Sequence, residues 1–78
     1  MATIHIHYFG EIAEKTGTPS ETIEVTLLST SGVLEFLKKT YQIQGNGVQV
    51  AVNQELVTEN TPLSKTDEIA ILSPFAGG

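Results

Sequence analysis

Gly77 and Gly78 close this chain, and they offer a chemistry that needs no side chain. A backbone without Cβ accepts positive φ and close approach, so such an end makes a slender, flexible probe for a narrow channel. What it would carry there is the α-carboxylate of Gly78. A carboxylate resists nucleophiles until it is activated as an acyl adenylate made from ATP, from which a sulfur nucleophile can displace AMP. The sequence holds no glycine-rich phosphate loop followed by lysine, so the adenylating machinery is expected on a partner. The alternative for a terminal Gly-Gly is a frayed end with no role.

The other residues able to do chemistry form weaker patterns. His5 and His7 place two imidazoles on one strand face. Structural zinc normally takes four ligands, and no third is evident, so the pair reads as exposed strand residues and no metal is expected. Glu11 and Glu14, three apart, read as a solvated helix face. Asp67-Glu68 beside a strand reads as a turn and an edge guard. No Ser-His-Asp arrangement has a supporting context, which argues against a hydrolase. The absence of cysteine removes disulfides, thiolate metal sites and a cysteine nucleophile.

The elements that would position these residues follow from periodicity. Ile4, Ile6 and Tyr8 alternate with Thr3, His5 and His7, the period of a half-buried strand. Phe9-Gly10 breaks that period, Glu11 to Thr16 reads as a short helical turn, and Gly17 is its stop. After Thr18-Pro19-Ser20, a second alternating run puts Ile23, Val25 and Leu27 on one face. Ser29, Thr30 and Ser31 offer helix caps. Val33, Leu34, Leu37 and Tyr41 then form the apolar stripe of the main helix, with Glu35 and Lys39 as an i,i+4 pair outside it. Gly45-Asn46-Gly47 marks the exit loop. Val48, Val50 and Val52 alternate as a third strand, Asn53-Gln54 is a turn, and Glu55-Leu56-Val57 a short strand beyond. Pro62 excludes a central ladder position. Ile69 and Ile71 mark a last strand, with Glu68, Ala70 and Leu72 on its other face.

Two strands, a helix and two or three further strands predict an α+β fold, a sheet packed on one main helix. The ubiquitin β-grasp has this order, and by that analogy the first strand pairs with the last. Residues 1–72 are expected to form the domain and residues 73–78 a tail. With 78 residues the chain is one domain that buries roughly 60% of its unfolded surface, leaving little room for a deep catalytic pocket. Nine acidic against four basic residues, a net charge of −5, argue against nucleic acid and anionic membranes and fit a positively charged protein partner. The N-terminal stretch lacks a signal-peptide pattern and no stretch is apolar enough to span a bilayer, so a cytoplasmic protein is expected.

Val52-Asn-Gln-Glu-Leu-Val57, Pro62-Leu63, Asp67-Glu-Ile-Ala70 and the closing Pro74-Phe-Ala-Gly-Gly78 resemble the C-terminal half of molybdopterin synthase small subunits, members of the ubiquitin-like sulfur carrier superfamily. Phe9-Gly-Glu-Ile-Ala-Glu-Lys-Thr-Gly17 resembles their first strand-to-helix segment. The resemblance implies a carrier cycle. An E1-like enzyme adenylates Gly78 with ATP, and a persulfide donor converts it to a thiocarboxylate. The tail enters the large catalytic subunit of a heterotetramer and gives sulfur to cyclic pyranopterin monophosphate. The chain itself binds no cofactor in this scheme. By the same likeness Gly77 and Gly78 are the carrier motif, Leu56 and Leu72 lie near the partner surface, and Phe75 belongs to the inserted tail. Ordinary core or hairpin packing is the alternative for these last three. A carrier for thiamine, cysteine or tRNA thiolation, a lysine-conjugating modifier and a non-covalent binding module are the rival functions.

Overall fold

The computed structural model describes residues 2–44 and 47–73. Strand β1, Ala2–Tyr8, leads through Gly10 into a short helix, α1, Glu11–Thr16. Gly10 stands at φ 58° and Gly17, which caps α1, at φ 78°, left-handed conformations that favour glycine. Strand β2, Ser20–Val25, returns antiparallel to β1 with Ile4 opposite Ile23. Helix α2, Thr30–Tyr41, crosses the sheet, and β3, Gln49–Val52, β4, Glu55–Val57, and β5, Ile69–Leu72, complete it.

The strand order is β2-β1-β5-β3-β4. The first and last strands are parallel neighbours, with Ile6 opposite Ile69 and Tyr8 opposite Ile71. Strand β3 runs antiparallel to both β5 and β4. One sheet face carries Ile4, Ile6, Ile23, Val25, Val50, Ile69 and Ile71, all buried, against Val33 and Leu37 of α2 and Ile12 of α1. Leu37 is fully buried, and truncating it to alanine is expected to cost about 2–5 kcal/mol.

Ser29 begins α2 as its N-cap, its hydroxyl accepting the Gly32 N–H. The expected pair of Lys39 and Glu35 forms at 2.9 Å on the helix's exposed side. A link not foreseen in the sequence ties three elements: Glu21 Oε2 in β2 accepts hydrogen bonds of 2.6 Å from both the Tyr8 and the Tyr41 hydroxyls.

The structure corrects three details. Leu27 is not on the buried face of β2: the strand ends at Val25, the chain bends so that the Leu27 carbonyl accepts the Ser29 N–H, and its side chain is exposed. Leu34 and Tyr41 lie at the margin of the helical stripe, half-buried, together with Phe36. Glu68 guards no edge, because β5 is interior, between β1 and β3. The exit-loop residues Gly45 and Asn46 lie outside the described residues.

Candidate functional site

Helix α2 covers one face of the sheet, and no described element covers the opposite face. Alternation along β1 sends His5 and His7 to that face, and Phe9 continues the ladder through its N–H to the Ile71 carbonyl at 3.1 Å. Across the sheet, Ala70 is opposite both His7 and Ala51, Leu72 is opposite Gln49, and Leu56 is opposite Ala51. All of these but His5 and Ile71 line a shallow groove of about 460 Å³, whose apolar members are Phe9, Ala51, Leu56, Ile69, Ala70 and Leu72. Phe9 is 49% exposed and Leu56 60% exposed. These residues form a contiguous, partly exposed apolar surface on an acidic chain.

The groove's shape depends on a tight turn. Asn53 and Gln54 have φ 52° and 71°, the left-handed pair that joins β3 to β4 with the twist a hairpin needs. The Asn53 side chain then fastens the turn to the segment before β5. Its amide donates to Asp67 Oδ1 at 3.0 Å, and its oxygen accepts the Glu68 N–H at 2.9 Å. The Ser64 N–H donates to Asp67 Oδ2 at 2.8 Å, and this bond, followed by the one from Asn53, holds the Asp67 carboxyl below its ordinary range. The pieces of sequence that looked separate, Asn53-Gln54 and Asp67-Glu68, are thus one structural unit at the rim of the groove.

Gly77 and Gly78, expected from the sequence to be the carrier motif, lie outside the described residues, and Phe75 with them. What the structure places is the strand that leads to them. Strand β5 ends at Leu72, half-buried in the groove, and Ser73 after it is buried. Leu56, across the sheet on β4, faces the same groove and packs into no core. Phe9 was read in the sequence only as the end of a strand period, although His5, His7 and Phe9 keep that period on the bare face.

The imidazoles of His5 and His7 meet edge to face at 4.8 Å, and His5 Nδ1 lies 3.1 Å from Thr22 Oγ1. Among the described residues no group of three or more histidine, cysteine, aspartate or glutamate side chains is arranged to hold a metal. Nor is any helix among them long and apolar enough to cross a membrane.

The ThiS family profile matches residues 6–78. Curated proteins yield no match. Among solved structures, SAMP1 from Haloferax volcanii superposes with a TM-score of 0.77 at 18% identity, covering 99% of this chain and 100% of its own. The small archaeal modifier protein 1 of Methanosarcina acetivorans gives 0.76 at 23% identity, covering 100% and 98%. A chain from the complex of subunits 1 and 2 of the molybdopterin-converting factor of Helicobacter pylori gives 0.70 at 24%, covering 97% and 99%. At these identities the likeness is one of fold, the ubiquitin-like β-grasp.

Proposed function

The chain belongs to the ThiS family, and from that membership we propose that it is the sulfur carrier subunit of a molybdopterin synthase, with the carboxylate of Gly78 as its working group. The observation that carries the reading is the extent of the family match, which runs from residue 6 through Gly77 to Gly78. In the proposed cycle an E1-like partner joins the Gly78 carboxylate to AMP, releasing pyrophosphate from ATP. The terminal sulfur of a persulfide donor attacks the acyl carbon, AMP leaves, and a thiol then cleaves the resulting acyl disulfide to free the thiocarboxylate. The carrier's own contribution is presentation, since reactive atoms delivered in the right place gain rate through proximity.

The bare sheet face supplies the docking half of the proposal. Subunit 1 of the Helicobacter pylori factor forms a complex with subunit 2, and the groove of Phe9, Leu56 and Leu72 gives this chain an apolar surface suited to an equivalent large partner. The groove takes in Ala70 and Leu72 of β5, the strand that precedes the tail in the sequence. There the sulfur would pass to cyclic pyranopterin monophosphate. An ATP-driven cycle of this kind would run in the cytoplasm.

Deleting Gly77 and Gly78 is expected to abolish pterin dithiolene synthesis while leaving the thermal melt unchanged. Full synthesis by the truncated chain would overturn the proposal. A second reading, conjugation of Gly78 to lysine side chains, is favoured by the likeness to the small archaeal modifier proteins. Its signature is an amide between Gly78 and a lysine Nζ of a target protein, which the carrier cycle does not produce.

A further inference from the structure

We propose that the groove is built for a protein surface presenting a protruding apolar side chain beside an arginine or lysine, and that Glu68 is the carboxylate receiving that cation. This rests on the reading that the chain docks through its bare sheet face. Glu68 and His7 are the titratable residues lining the groove. The Glu68 backbone is gripped on both sides, since its N–H donates to Asn53 Oδ1 at 2.9 Å and its carbonyl accepts the Asn53 N–H at 2.8 Å. Its side chain therefore projects from a fixed point, 64% exposed. Its ion-pair neighbour among the described residues is His7 Nε2 at 4.0 Å, which exceeds hydrogen-bond length.

Among the described residues no lysine forms an ion pair with Glu68. The sequence has four lysines and no arginine. Lys15 lies in α1, Lys38 and Lys39 in α2, and Lys65 in the segment before β5, and the lysine ion pair among the described residues is Lys39–Glu35 on α2. The net charge of −5 adds a field that draws a cationic surface in. Once docked, an apolar side chain in the groove would exclude water around Glu68 and strengthen its attraction for the cation. The complementary partner is a basic protein face with an apolar knob, and the carboxylate sets register while the groove contributes most of the contact area.

The test is calorimetric titration of the full chain into the cognate large subunit of molybdopterin synthase, at about 50 and about 300 mM NaCl. Glu68→Gln keeps the shape and the backbone bonds, so folding is not at issue. It is expected to weaken binding about five- to tenfold at low salt and to flatten the salt dependence. Glu24→Gln, on the same face but outside the groove, is expected to change affinity less than about twofold. If the wild-type chain binds and Glu68→Gln binds equally well with the same salt dependence, this inference alone is overturned. If the wild-type chain fails to bind, the docking reading falls and the inference with it.

Discussion

Two phenols donate to one carboxylate in a part-buried contact that joins β1, β2 and α2. Tyr8, buried at the end of β1, is pushed far above the ordinary phenol value of 10.0, first by burial and then by its hydrogen bond to Glu21. Tyr41 is raised as well, chiefly by its own bond to the same carboxylate. Both shifts favour the neutral phenol in the folded state. Their stabilisation is therefore fully present below pH 10 and is lost as pH rises beyond it. Tyr8→Phe should accordingly show a shallower loss of stability than the wild type in urea melts run from about pH 8 to about pH 11, with Tyr41 left to account for the remainder. Identical slopes would refute the assignment. Nothing in the sequence announces this contact, because Glu21 reads as an ordinary polar position of an alternating strand. Its partners lie 13 and 20 residues away. By contrast, the Lys39–Glu35 pair was legible because a helix brings residues four apart together by itself.

At the scale of the element, Gly32 tests how α2 is seated. A glycine within a helix is ordinarily replaced by alanine with a gain of about 1 kcal/mol. Here a Cβ would fall on the Leu27 carbonyl oxygen, inside van der Waals contact and against backbone rather than a movable side chain. The overlap outweighs the propensity gain, and Gly32→Ala is expected to lose about 1–3 kcal/mol in denaturant melts. A stabilised variant would show that the bend at Leu27 yields freely. That bend also explains why Leu27 deceived the sequence reading. Its place in the alternation was correct, but the strand it would have extended stops at Val25 so that Ser29 can cap the helix. The strands themselves were legible from period-two patterning, and the β3–β4 hairpin from Asn53-Gln54. The parallel β1–β5 pairing was not, since no local signal joins residues at the two ends of a chain. It entered by analogy with ubiquitin, and the structure shows it at Ile6 and Ile69.

Across the whole molecule, helix covers one sheet face, and among the described residues the other face presents the apolar groove. Leu56 and Leu72 were placed near the partner surface by likeness alone, and both line the groove on that face. Phe9 joins them through strand alternation that could have been followed one residue further. Under the docking proposal, Leu56→Asp puts a charge into the groove without touching the core. It should weaken binding to the large subunit by roughly tenfold or more while leaving the melting temperature within a few degrees. Unchanged affinity would remove Leu56 from the interface.

Whether Gly78 carries sulfur is read by intact-protein mass spectrometry with fragmentation after incubation with ATP, an E1-like enzyme and a persulfide donor. An oxygen-to-sulfur exchange located at Gly78 is expected, a placement that also separates it from oxidation of Met1, which changes the mass almost equally. A terminus that stays a carboxylate, with an activating enzyme shown to be competent on another carrier, would contradict the carrier proposal.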